Sequence, residues 1–167
     1  MSNRSEARTP ADFWDVINGE FLFEVDAAAS KENTRCSAWI PEWQNALDRE
    51  KTIWTGDICQ RVYCNPPFKH MLPWAQRAYE EAQKHPLAVV ALLGPMSRAV
   101  WFKFCCEHAS EIRILTPRVQ FDPPPGVTYK GGNDRDQILV IFRRRPINGP
   151  PAHIWLWGWK QNEGDGQ

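Results

Sequence analysis

Seven consecutive apolar residues, Leu87-Ala88-Val89-Val90-Ala91-Leu92-Leu93, lie between His85-Pro86 and Gly94-Pro95. An unbroken apolar run of strand length is the pattern of a strand buried on both faces. Helices on both sides of a largely parallel sheet bury a strand in that way, so an α/β architecture is expected. The flanking segments agree. Arg61-Val62-Tyr63-Cys64 reads as a second strand, halted by Asn65-Pro66-Pro67-Phe68 because two prolines cannot continue a ladder. Leu72, Ala75, Tyr79 and Ala82 then mark one face of a helix that ends at His85-Pro86.

Elsewhere the same rules give further elements. Thr9-Pro10 opens a helix that Gly19 can end, with Thr9 as cap, Pro10 in the first helical position and Asp12 in the first turn. Phe21 to Val25 reads as a buried strand delivering Asp26 at its carboxyl end. Residues 39–48 read as a short helix, and Val100, Trp101, Phe104 and Cys105 share the face of another. Ile112 to Leu115 and Gln137 to Phe142 read as strands joined by a long loop rich in proline and glycine. Trp155, Trp157 and Trp159 alternate, which puts all three on one face of a strand. An edge strand packed on the core is the plain reading of that strand; a dimer contact and a base-stacking ledge are the sharper ones. Residues 1–147 are read as one compact domain and 148–167 as a tryptophan-rich extension, its polar end from 162 onward disordered.

Composition excludes several classes. With 43% hydrophobic and 24% charged residues, the chain is not a fully disordered one. No apolar run approaches the ~20 residues that span a bilayer, and the first residues lack the apolar core of a secretion signal. The 5 cysteines form no CxxC pair and the 4 histidines are scattered, so no metal site is expected and a reducing cytoplasm fits. Net charge is zero, yet residues 1–60 carry 6 basic and 11 acidic side chains, and residues 61–145 carry 13 and 7. That asymmetry gives either an anion-binding face or scattered solvated charge. Arg143-Arg144-Arg145 is equally a phosphate contact or a soluble strand exit.

The chemistry is concentrated in Asn65-Pro66-Pro67-Phe68. It sits at a strand's carboxyl end, where ligands bind in open α/β sheets. An exocyclic aromatic amine is a poor nucleophile because its lone pair is delocalised into the ring. The Asn65 side-chain oxygen and the Pro66 carbonyl can each accept one amine hydrogen, favouring a tetrahedral nitrogen whose lone pair faces an electrophile. Pro66 and Pro67 fix that carbonyl, and Phe68 offers a ring face for a planar substrate. A plain Pro-Pro turn is the bland alternative.

From Thr9 to Phe142 the chain resembles the small phage and prophage DNA adenine-N6 methyltransferase family, related in name to the bacterial Dam enzymes. The likeness rests on Thr9-Pro10, Asp26-Ala27-Ala28-Ala29, Trp54-Thr55-Gly56, Asn65 to Phe68, and Trp74 with Arg77. It continues through Leu92-Leu93-Gly94-Pro95, Trp101-Phe102 and Arg118 to Phe121. The resemblance implies a Rossmann-like methyltransferase sheet with flanking helices, made by residues 1–147. It implies S-adenosylmethionine held at Thr9, Pro10, Asp26, Ala27 and Ala28, with a further contact to its adenine or ribose just before Leu47. This chain has Asn45 and Ala46 there, and Asp48 and Asp57 are substitutes nearby. On local grounds alone, Thr9 reads as a helix cap and Asp26 as a cap or a polar anchor. Double-stranded DNA is the implied partner, in the cytoplasm of a bacterial host. Lys69, Arg98, Lys130 and Arg135 are the basic residues best placed to approach it. Two other readings stay open: an RNA or protein-glutamine methyltransferase using the same turn, and a catalytically silent DNA-binding module. Oligomeric state, a homodimer included, is left open.

Overall fold

The computed structural model describes residues 7–128, 135–146 and 148–160. Its seven strands form one sheet: β1 (Val25–Asp26), β2 (Ala38–Trp39), β3 (Arg61–Cys64), β4 (Val89–Pro95), β5 (Glu111–Thr116), β6 (Gln137–Arg143) and β7 (His153–Gly158). The order across the sheet is β2-β1-β3-β4-β6-β5-β7. All neighbours are parallel except around β6, which runs antiparallel to both β4 and β5. The apolar run does what its pattern requires: every residue of β4 is buried. Helix α1 (Ala11–Phe21) covers one face, and α2 (Met71–Lys84) and α3 (Val100–His108) cover the other. Strand alternation divides the core accordingly, with Val62, Cys64, Val90 and Leu92 toward α2 and α3. Tyr63, Ala91 and Leu93 point toward α1. The chain is therefore an α/β domain with a Rossmann-like methyltransferase sheet flanked by helices.

Local expectations are refined in four places. Helix α1 runs through Gly19 because Phe13, Ile17 and Phe21 recur on one buried face and keep gaining cover. It ends at Leu22, in left-handed conformation, and the Asn18 side chain accepts the Phe23 N–H at 2.9 Å. The expected strand from Phe21 thus shrinks to Val25–Asp26, although Asp26 still stands at its carboxyl end. Residues 39–48 form the end of β2 and a single 3-10 turn, Glu42–Gln44, because Pro41 and a left-handed Asn45 bracket a segment too short for an α-helix. Thr9 does not cap α1; its hydroxyl pairs with the Tyr63 hydroxyl at 2.8 Å.

The tryptophan-rich segment packs as an edge strand. Trp155 and Trp157 stand in β7 over the Arg113 guanidinium, whose carbon lies 5.5 and 4.6 Å from their rings and 5.2 Å from that of Phe21. Glu20 and Glu111 pair with the same guanidinium. Trp159, just past the strand, is buried edge-on against Phe13, with centroids 5.0 Å apart. The arginine run is a strand exit at the amino edge of the parallel strands. Arg143 lies over Phe21, and Arg145 bonds to the Ala109 carbonyl and Gln83. No helix among the described residues is long and apolar enough to cross a membrane.

Candidate active site

Strand order fixes where a ligand can sit. From β1 the chain moves outward to β2 on one side, while β3 and β4 lie on the other. The crevice between β1 and β3 is thus the point where the direction of winding reverses. Asp26 ends β1 and is the register partner of Tyr63 in β3, two residues before Asn65. The Ala27 N–H donates to the Tyr63 carbonyl at 2.8 Å, so the Asp26-Ala27-Ala28 turn and the Asn65-Pro66-Pro67-Phe68 turn leave adjacent strands side by side. Thr9-Pro10 reaches the same edge because α1 runs back along the strands from there to β1. The structure thereby brings Thr9, Pro10, Asp26, Ala27, Ala28 and the Asn65 turn together.

Electrostatics single out Asp26. It is 4% exposed, and its carboxyl accepts the Ala28 N–H at 3.2 Å and interacts with the Arg35 backbone. These donors do not offset burial, which pushes its pKa from 3.8 up to about 7. The Tyr63 hydroxyl and the Cys64 thiol beside it are driven well above their usual ranges by burial, and Cys36 up to about 12. Burial thus holds Asp26 near its own titration point, in an apolar crevice among groups that stay neutral. A loop brace encloses it. Arg35 donates to the Thr9 carbonyl at 2.7 Å and pairs with Asp122 at 3.2 Å. Arg8 and Asp122 exchange two backbone hydrogen bonds of 2.9 Å.

Around the turn, Pro66 is buried, while Asn65 and Phe68 are half-buried. The Asn65 amide has no hydrogen-bond partner among the described residues and is free to meet a ligand. Phe68 meets the ring of Phe121 edge-on, with centroids 6.0 Å apart. A cleft of about 660 Å³ opens beyond Phe68, lined also by His70, Met96, Ser97, Trp101 and Arg135. Arg135 is one of the four expected DNA contacts. Lys69 and Arg98 are exposed next to the lining residues His70 and Ser97, whereas Lys130 lies outside the described residues. A second cleft of about 540 Å³ lies at the carboxyl end of β2, lined by Ser30, Lys31, Trp39, Pro41, Trp43 and Gln44. Asn45 is exposed next to Gln44 and does not line it.

Sequence reading missed Tyr63, Arg35 and Asp122, whose partners are up to 87 positions away. It also missed His70, held with φ 61° where the chain turns into α2. A left-handed residue between a Pro-Pro turn and a helix carries no fixed signature unless it is glycine or asparagine.

Comparison with known proteins is consistent along the chain. The family model described as DNA N-6-adenine-methyltransferase (Dam) matches residues 1–156. The chain is 31% identical over 128 residues to the DNA N-6-adenine-methyltransferase of Haemophilus phage HP1, covering 76% of this chain and 70% of that relative. It is 29% identical over 105 residues to the protein of the same name from Escherichia phage T1, covering 62% of this chain and 42% of that relative. With that match reaching from its first residue into β7, the chain belongs to the DNA N-6-adenine-methyltransferase (Dam) family.

Proposed function

We propose that the protein transfers a methyl group from S-adenosylmethionine to the exocyclic N6 amine of adenine in double-stranded DNA, in a bacterial cytoplasm. The observation that carries this reading is the pairing of Asp26 and the Asn65 turn on adjacent strand ends at the winding reversal. The donor set fits the cofactor: a buried carboxylate for an ammonium or hydroxyl group, and alanines at 27 and 28 that permit close approach. Thr9, Pro10, Asp26, Ala27 and Ala28 would hold it, with the β2 cleft adjoining; Asn45, exposed beside the lining residue Gln44, would reach it only from outside that lining. When bound, S-adenosylmethionine supplies a sulfonium-activated methyl group.

The protein's own residues prepare the amine. Asn65 Oδ1 and the Pro66 carbonyl each accept one N6 hydrogen, drawing the nitrogen toward a tetrahedral form with its lone pair outward. Pro66 and Pro67 hold that carbonyl in place. Phe68, steadied by Phe121, stacks on the base. The amine is inaccessible within a duplex, so the adenine turns out of the stack into this crevice. Arg135 in the cleft lining and Lys69 and Arg98, exposed beside lining residues, would meet phosphates or base edges, as would Lys130 on sequence grounds. Few side chains are available to read base edges, each good bidentate contact discriminating by ~1–3 kcal/mol. The expected target is about four base pairs or fewer, or nearly any adenine, with marked salt dependence. Incubation with labelled cofactor and unmethylated plasmid, RNA and protein acceptors side by side tests the reading. N6-methyladenine from the plasmid supports it; label only in RNA or glutamine, or in nothing while the cofactor binds, sinks it. Single-molecule sequencing of that plasmid checks the target, and a required site of six or more defined pairs refutes the short one.

Asp26 gives a pH dependence of calculable sign. The native carboxyl keeps its proton up to about pH 7, whereas the unfolded one loses it near 3.8. Between these values the native state binds more protons, so the unliganded protein loses stability as pH rises, by about 4 kcal/mol in all. A cationic group of the cofactor favours the ionised carboxylate, so cofactor affinity should rise as pH passes through about 7. Tyr63, Cys36 and Cys64 remain neutral in that range. Calorimetric titration at pH 6 and pH 8 should show the rise in wild type and a flat response in Asp26→Asn; equal slopes in both would remove Asp26 from cofactor binding.

A further inference from the structure

We propose that Met96 is the side chain that fills the gap left in the duplex when the target adenine leaves the stack. The inference rests on the reading of the protein as a DNA adenine methyltransferase and adds a residue to it. Extruding a base leaves its neighbours unstacked, and an apolar side chain pushed into the step replaces the lost contact. Such a side chain must be apolar yet exposed in the free protein, close to the base site, rigidly supported, and flanked by cations that meet phosphate.

Met96 meets each condition. It follows Pro95, the last residue of β4, and lines the cleft that begins at Phe68. Its residue is 43% exposed, although methionine ordinarily fills cores. Its backbone is braced, the N–H donating to the Asp136 carbonyl at 2.7 Å, while the Asp136 carboxylate binds Arg118 at 2.6 Å. Two residues back, Gly94 packs so closely that a Cβ would lie 2.7 Å from Met71 Cε and 2.9 Å from Trp101. One residue on, Ser97 Oγ accepts the Trp101 indole N–H at 2.9 Å. Lys69, Arg98 and Arg135 supply the surrounding positive charge.

Other exposed apolar side chains fit less well. Val100 lines the same cleft, but a β-branched side chain on a helix is shorter and stiffer. Ile53, Ile58 and Trp43 are exposed on a segment whose four acidic residues, Glu42, Asp48, Glu50 and Asp57, outnumber its two basic ones, Arg49 and Lys51, and none of the three lines the cleft at Phe68.

The test compares wild type with Met96→Ala on three acceptors of one sequence. These are a duplex, its adenine-bearing strand alone, and that strand annealed to a complement with abasic sites opposite the adenines. The variant should lose about tenfold in methylation of the duplex, keep wild-type activity on the single strand, and recover on the abasic duplex. Met96→Leu should retain duplex activity. No loss on the duplex overturns the proposal. Equal losses on all three acceptors also overturn it and assign Met96 a contact with the adenine itself. A wild-type protein active on the single strand alone overturns it too, while leaving adenine methylation in place; one active on none of the three takes both down.

Discussion

Asn65→Ala is expected to lower methyl transfer to adenine by about two orders of magnitude or more, with cofactor binding and thermal stability unchanged. The size follows from what the side chain has left to do. Its amide has no hydrogen-bond partner among the described residues and is half-buried at the rim of the crevice, so truncation breaks no hydrogen bond among them. In the proposed reaction its oxygen is one of two acceptors that draw the amine out of conjugation, an interaction that strengthens only as the nitrogen turns tetrahedral. An interaction made in the transition state and absent from the ground state appears in kcat and leaves KM nearly unchanged. Asn65→Asp separates the acceptor from the amide: it keeps an oxygen but places charge beside Phe68, and partial activity is the expected result. Methylation rates at saturating cofactor over a range of DNA concentrations measure both variants. A loss for Asn65→Ala confined to KM would make Asn65 a binding residue and remove it from the chemistry.

Much of this candidate site is legible in the sequence, for a physical reason. The roles proposed for Asn65 to Phe68 rest on backbone rigidity, a carbonyl, an amide and a ring, all properties of adjacent residues. The strand before them and the helix after them, Arg61–Cys64 and Met71–Lys84, are set by local pattern and fell where the pattern put them. Asp26 was legible as a strand-end carboxylate, but its burial was not, because the groups that close over it come from Thr9, Tyr63 and Arg35. The strand preceding it is shorter than composition suggests: Phe21 and Phe23 suit a strand, but Phe21 closes the buried face of α1 and Phe23 packs on Trp14 and Tyr63 from the turn that follows. The arginine run illustrates the opposite case. Three consecutive arginines look like a phosphate site, yet β6 runs antiparallel and carries them to the far edge from the crevice. Chain direction within a sheet is a non-local property, and charge composition is blind to it.

Trp54-Thr55 and Arg77, features of the family resemblance without an assigned role, meet in one buried assembly whose disruption should be the most destabilising single change. Arg77 and Glu81 are 1% and 0% exposed and pair at 2.7 Å one helical turn apart on α2. Glu81 also accepts the N–H groups of Trp54 and Thr55 at 3.1 and 3.0 Å, and Lys84 pairs with it from the surface at 2.6 Å. Arg77 donates to the Thr52 carbonyl and lies over the Trp54 ring, whose indole N–H reaches the Ala46 carbonyl at 2.9 Å. The carboxylate therefore does what a strand would otherwise do for Trp54 and Thr55: it satisfies backbone N–H groups that are buried without a ladder. Glu81→Ala strands a buried guanidinium and two buried N–H groups at once, and should cost about 3–5 kcal/mol, roughly 10 °C in melting temperature. Swapping both members for apolar residues would not rescue the fold, in contrast to an isolated ion pair, because the loop's backbone groups would stay orphaned. Urea unfolding of Glu81→Ala, Glu81→Gln and Arg77→Met measures this, with Glu81→Gln the mildest because its amide oxygen still accepts from the loop. A loss below about 1 kcal/mol for Glu81→Ala would mean that water replaces the carboxylate and that the loop is held by Trp54 packing alone. Because α2 begins where the Asn65 turn ends and packs on Trp54 through the same core, a loosened loop should also blur the position of Phe68. Glu81→Ala is then expected to lower the methylation rate even well below its melting temperature.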